Sequence, residues 1–256
     1  MKRGVWRQPL RLATMLTVGL PLCLAAGAAK AQDRFEIQVY DSETAPAGSP
    51  GIELHANVVT AGTVQPSAQG ELPTTGLTHL TLEPHVGLTR WCELGGYLQA
   101  AQRPDGTLDA AGVKLRLKLR LPRKVAGFGF ALNFEFSDVP RLYEANQYGS
   151  ELRPVVDFKA EHWYASVNPI VGLDLAGDQA FHPQFQPAAK VAAIVGDGVW
   201  VGAEYYGAFG ASPSHTLYGA LDWASKHFDL NAGVGYGFQG PERWVLKTIL
   251  GFHPAE

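Results

Sequence analysis

The chain predicts an all-β fold, an antiparallel up-and-down transmembrane β-barrel of about twelve strands, and three observations carry that prediction. From Val113 to Leu121 the apolar residues alternate with Lys114, Arg116, Lys118 and Arg120, a period of two that puts one set on each face of a strand. Segments of roughly ten residues with the same alternation recur between connections rich in Gly, Pro, Asn and Asp. The connections alternate between long and short, as in bacterial barrels with long extracellular loops, short periplasmic turns and an even strand count.

The first residues set the compartment. Lys2, Arg3, Arg7 and Arg11 precede a short apolar stretch over 15–26, and Ala29-Lys30-Ala31 stands before Gln32. These are the basic, apolar and cleavage regions of a signal peptide over 1–31, and they predict export to the outer membrane of a Gram-negative bacterium. The apolar core is too short to span a bilayer as a helix. Cleavage would remove Lys2, Arg3, Arg7, Arg11 and Lys30, five of 21 bases and none of 24 acids, leaving 16 against 24 and a net charge of −8. Such a surface argues against nucleic acid as a partner. Cys92 is then the one remaining cysteine, so no internal disulfide forms in an oxidising compartment.

Residues 32–50 form an N-terminal segment. Within it Phe35, Ile37 and Val39 alternate with Glu36 and Gln38, so 34–40 reads as an extra strand that the even count excludes. Three placements are open: the lumen, a periplasmic pairing, or the place of a miscounted strand. The barrel occupies 51–256, with strands expected at 51–61, 77–88, 91–101, 113–121, 128–136, 151–161, 162–173, 185–195, 199–208, 215–224, 227–238 and 243–252. Phe128, Phe130, Leu132, Phe134 and Phe136 mark the fifth as clearly as the leucines mark the fourth. Pro84, Pro154 and Pro169 fall inside proposed strands and are the expected places for bulges.

A soluble barrel and a membrane barrel share this alternation but point it in opposite directions. Length favours the membrane, since about ten tilted residues cross an apolar band of roughly 25 Å. Trp163, Trp200, Trp223, Tyr236 and Trp244 are candidates for interfacial girdles. A Lys or Arg facing lipid at mid-depth costs about 2–4 kcal/mol, so the four cations of 114–120 must face inward. The candidate lumen-lining residues are Lys114, Arg116, Lys118, Arg120, Glu83, Glu93, Glu135, Glu151, Arg153 and Glu204, with Glu53, Asp157, Glu161 and Lys159 beside them. Tyr97, Tyr164, Trp200 and Tyr206 fall on the same face. Acids must offset the cation row, giving an interior of ion pairs with any remaining pore threaded through it.

The runs GIELHANVV, THLTLEPHVGLTRWCELGGYLQ and DGTLDAAGVKLRLKLRLP, followed by LNFEFSDVP, ELRPVVDF, NPIVGLDL and VGAEYYGAFG, resemble a family of proteobacterial outer-membrane barrels labelled as transporters. The runs also resemble the barrels associated with phenol meta-pathway gene clusters. The resemblance implies a transport role and an outer-membrane location, and it carries over no functional residue. One departure is the tail His253-Pro254-Ala255-Glu256 after Phe252, where such chains commonly end on an aromatic.

The expected function is passive passage of a small solute through a charged lumen, without enzymatic activity. The alternatives are a structural or plugged barrel, or an outer-membrane hydrolase. For a hydrolase, Ser214-His215 at a predicted loop edge is the one suggestive pair, and no G-x-S-x-G motif surrounds it. No cofactor, catalytic or metal residue is assigned. His79 and His85 lack zinc-site spacing; His55, Glu83 and His85 are candidates to converge in the lumen, where histidines satisfied by ordinary interior contacts are the commoner case. Expected partners are outer-membrane lipid, the barrel-assembly machinery and an unidentified small molecule.

Overall fold

A computed structural model describes residues 33–66, 70–178, 180–210 and 212–253. The signal-peptide reading of 1–31 lies outside these residues. The strands are β1 Pro50–Gly62, β2 Thr78–Thr89, β3 Cys92–Gln102, β4 Leu108–Arg120, β5 Phe128–Asp138 and β6 Tyr148–Lys159. They continue as β7, which runs Trp163–Asn168 and resumes as Val171–Asp174, and β8, Gln184–Phe185 resuming as Ala188–Gly196. The last four are β9 Val199–Ala208, β10 Ser214–Ala224, β11 Phe228–Gln239 and β12 Glu242–Phe252. Each pairs antiparallel with its neighbours, and β1 closes on β12 through Ile52 opposite Phe252 and Leu54 opposite Leu250. The result is a closed twelve-stranded antiparallel barrel.

The faces are inverted relative to a soluble protein. Leu54, Leu98, Leu115, Phe136, Val191, Leu217, Val234 and Leu246 are exposed on the outer wall. Glu83, Arg116, Asn133, Glu135, Arg153, Glu204 and Lys247 are buried inside. An apolar belt around a polar interior is stable only where lipid replaces water outside. Trp163, Trp223, Tyr236 and Trp244 lie exposed on this belt. Trp200 does not join them: it turns inward and stacks on Tyr164 with ring centroids 5.5 Å apart. Glu161 also departs from expectation. It sits in the β6–β7 turn, outside the lumen, with 88% of its side chain exposed.

The prolines interrupt the ladder without shifting it. Pairing of β6 with β7 keeps one register on both sides of the gap opposite Pro154 and Pro169, from Val156 opposite Val167 to Leu152 opposite Val171. A proline deletes a donor but adds no residue, so no side chain changes face. The register shifts occur elsewhere, at Val59/Ala61, Ala61/Gly62, Gly87/Thr89, Gln99/Ala100, Ile194/Gly196 and His215/Thr216. The Gln99/Ala100 shift explains why β4 begins at Leu108 rather than 113. Gly112, at φ 127°, accommodates the extra residue, so Ala111 is buried inside while Val113 points outward. A Cβ at Gly112 would lie 2.5 Å from the Asp138 carbonyl oxygen, which excludes any other residue without local movement.

The segment 33–46 forms no strand. It runs inside the barrel from the long-loop end, where Arg34 meets Glu242 and Phe35 meets Tyr143, to the short-turn end, where Ala45 meets Glu93. The chain then reverses at Ala47–Ser49, with Gly48 at φ 82°, and enters β1. Of the three open placements, the structure adopts the lumen.

Candidate functional site in the barrel lumen

A bare backbone inside a barrel must find partners, because an unmet buried N–H or C=O costs about 1–3 kcal/mol. Side chains on the wall supply them. Asn57 donates to the Arg34 carbonyl (2.9 Å), Thr81 to that of Phe35 (3.0 Å) and Lys247 to that of Ile37 (3.0 Å). Ser166 donates to the Tyr40 carbonyl (2.5 Å), while the Tyr40 and Ser42 amides donate to Asn168 (2.7 Å) and Asp157 (2.5 Å). The polar residues of the inner wall therefore hold the segment by its backbone.

Apolar side chains hold it as well. Phe35 packs with Ala101, Ala111, Val139 and Tyr143, and Ile37 with Val59, Ile170, Ala188, Tyr206, Tyr218 and Val245. The Phe35–Ile37–Val39 alternation thus serves two small apolar clusters inside the barrel rather than a sheet. Burying side chains of this size stabilises by about 1.5–3 kcal/mol each. Tyr143, in the β5–β6 loop, donates to Asp109 at 2.5 Å; burial and that carboxylate push its phenol up to about 12, so it remains a donor.

The segment also carries counter-charge. Lys114 pairs with Asp33, Glu36 and Glu135. Lys118 lies 3.4 Å from Asp41, and Arg120 pairs with Glu43. Arg153 reaches Glu36 at 3.3 Å and Glu151 at 2.6 Å. Arg116 alone of the β4 row is served entirely by the wall, with Glu83 at 2.7 Å and Glu93 at 2.9 Å. Across the lumen Glu204 joins Lys190 at 3.1 Å and the fully buried Lys247. Tyr40 is the hub: its hydroxyl bonds with Glu36 and Tyr97, each at 2.6 Å, and its ring lies 5.4 Å from Arg116, 5.1 Å from Lys118 and 4.4 Å from Arg153.

All ten residues singled out as candidates for the lumen lie on inward faces, and Arg120 sits at the short-turn rim with 22% of its side chain exposed. Sequence reasoning missed the source of their partners. The spacing Asp33, Glu36, Asp41, Glu43 was the available signal, four acids in a segment with one base, Arg34. Tyr97, Tyr164 and Tyr206 are buried inside. His79 and His85 share the inward face, with His79 edge-on to Phe35 at 4.8 Å. Ser214 and His215 divide between faces: Ser214 is buried inside, and His215 lies outside against Tyr205 and Phe238. Adjacent strand residues cannot share a face, so this pair makes no nucleophile and base.

Below Tyr40 a cavity of about 780 Å³ opens toward the short-turn end, bounded by Glu43, Lys118, Tyr164, Lys190, Trp200 and Asp222 among others. Small-molecule sites occupy about 300–1,000 Å³. Two cavities nearer the long-loop end measure about 30 and 20 Å³. The lumen is therefore roomy at one end and filled at the other.

No protein-family model matches the chain, and no curated protein matches it in sequence. Solved structures do match in shape. The COG4313 outer membrane channel from Pseudomonas putida F1 superposes with a TM-score of 0.60 at 11% identity, over 86% of this chain and 100% of that one. KdgM porin superposes with a TM-score of 0.57 at 9% identity, over 79% of this chain and 98% of that one. KdgM porin in complex with disordered oligogalacturonate gives a TM-score of 0.52 at 8% identity, over 79% of this chain and 98% of that one. At such identities the likeness is one of fold alone, and the fold is that of outer-membrane β-barrels.

Proposed function

We propose that this chain is a passive, non-enzymatic outer-membrane channel for a small anionic solute, narrowed by its own N-terminal segment. The solute-facing residues are Lys114, Arg116, Lys118, Arg120 and Arg153, with Glu83, Glu93, Glu135, Glu151 and Glu204 shaping the path. One observation carries the reading. Three of the four cations on β4 take their counter-charge from residues 33–43 and not from the wall alone. A barrel built only to be filled would neutralise its wall with its wall. Here, any movement of the segment uncovers a row of cations spaced roughly 6.8 Å apart. The roomy cavity at the short-turn end and the channel-type fold agree with this assignment.

The test is planar-bilayer conductance of the refolded chain from residue 32 onward. We expect anion preference that falls in Lys118→Gln/Arg120→Gln, and larger conductance steps when 33–46 are deleted. An unchanged anion-to-cation ratio in the double variant would sink the selective role of the row. A folded barrel that stays silent even without 33–46 would favour the structural, plugged reading, for which the density of ion pairs between segment and wall is the supporting observation.

A further inference from the structure

Glu53 on β1 lies directly opposite Glu83 on β2, and both point into the lumen. Like charges facing one another across a strand pair are destabilising unless something positive sits between them. His55, two residues along β1 on the same face, turns its ring toward both. Its Nε2 lies 3.2 Å from Glu83 Oε2 and 3.4 Å from Glu53 Oε2. Both are ion-pair contacts rather than aligned hydrogen bonds: the ring is fully buried, and neither its nitrogens nor Glu83 Oε2 has a hydrogen-bond partner. The three donor atoms lie within 4.8 Å of one another.

We propose that Glu53, His55 and Glu83 form a binding site for a divalent transition-metal ion of the Zn²⁺ type. A tetrahedral ion with bonds of about 2.0–2.1 Å holds its ligand atoms about 3.3 Å apart. The two contacts made by His55, at 3.2 and 3.4 Å, already have that separation, which is also the long end of what a hydrogen bond spans. One imidazole and two carboxylates is a donor set that suits zinc. The outer partners are in place. Arg116 takes Glu83 by its other oxygen at 2.7 Å, and Gln38 donates to Glu53 at 3.2 Å. Such contacts orient ligands around an ion. The large lumen cavity borders Glu53 and Glu83, so it supplies both an entry path and water for a fourth position.

The probes are Zn²⁺ and Co²⁺ added to chelator-stripped, refolded full-length barrel whose folding is verified by heat-modifiability. We expect one ion per chain, with X-ray absorption at the zinc edge reporting one imidazole and oxygen ligands. His55→Gln and Glu83→Gln should weaken binding by at least the roughly 100-fold that loss of even an outer partner can cost. Glu53→Gln gives a third reading should either of those fail to fold. Asp229→Asn/His253→Gln removes a competing pair at the short-turn mouth and should leave binding intact. Absence of stoichiometric binding, more than one imidazole or any thiolate at the edge, retention of binding in folded His55→Gln, or its loss in Asp229→Asn/His253→Gln would each overturn the site.

Discussion

The ring of Tyr40 lies 4.4 Å from the guanidinium carbon of Arg153, while the Tyr40 hydroxyl donates to Glu36, which Arg153 also grips at 3.3 Å. One tyrosine from the lumen segment thus answers a wall cation twice, through its face and through a shared carboxylate. A buried cation–π contact contributes about 2 kcal/mol, and a hydrogen bond to a charged group about 1.5–3 kcal/mol. Tyr40→Leu removes both and leaves every strand pairing untouched. Hydrogen exchange read by mass spectrometry should then quicken over residues 35–42 while β1 and β12 keep their protection. Equal quickening in the strands would mean that the segment and the wall open as one unit.

Lys247 and Glu204 form a pair with almost no exposure. Breaking a buried pair from one side costs about 3–5 kcal/mol, whereas replacing both partners is often near neutral. Lys247→Met should therefore lower the sample-heating temperature at which the folded band is lost on gels. Lys247→Met/Glu204→Gln should recover most of that loss. The recovery will be incomplete, because Lys190 then keeps only Asp222, 2.5 Å away, as its counter-charge.

Asp41 and Glu43 are half-exposed at the short-turn rim, where they meet Lys118 and Arg120. Neutralising them as Asp41→Asn/Glu43→Gln should raise the anion preference of the conducting barrel without changing its stability measurably. The charges lie in water, so the increase should shrink between 0.1 M and 1 M salt, as the Debye length falls from about 10 Å to 3 Å. A salt-independent increase would place the effect in the fixed geometry of the pore.

Leu115 points outward near the middle of β4, 55% exposed on the outer wall. Leu115→Arg should destabilise the barrel in lipid by about 2–4 kcal/mol, measured by reversible urea unfolding in vesicles. The same change at Leu121, beyond the strand end, should cost less than about 1 kcal/mol. Equal costs at both positions would contradict a lipid belt centred on Leu115.

Much of the fold was legible because strand alternation is local. Val113–Leu121 and Phe128–Phe136 announce their faces without help from any other residue. The charge of Lys114–Arg120 then decides which face meets lipid. Gly112 shows where this breaks down. Asp109-Ala110-Ala111 has no strong pattern, and the bulge that turns Ala111 inward and Val113 outward depends on the partner strand β3. Prolines misled for the opposite reason: they are conspicuous in sequence, yet at Pro154 and Pro169 the ladder skips a bond and keeps its register.

The sequence by itself determined the number of strands, their faces and the inward direction of the charged row, because each follows from a period of two and the cost of charge in lipid. Where the chain 33–46 goes was decided only by the tertiary structure. Its alternation of Phe35, Ile37 and Val39 suits a strand as well as a lumen filler, and nothing within the segment distinguishes them. The distinction lies in Asn57, Thr81, Asn168 and Lys247, scattered over four strands, which meet its backbone once the barrel has closed. The same closure sets Glu53 opposite Glu83 with His55 beside them, a juxtaposition that depends on the register between β1 and β2.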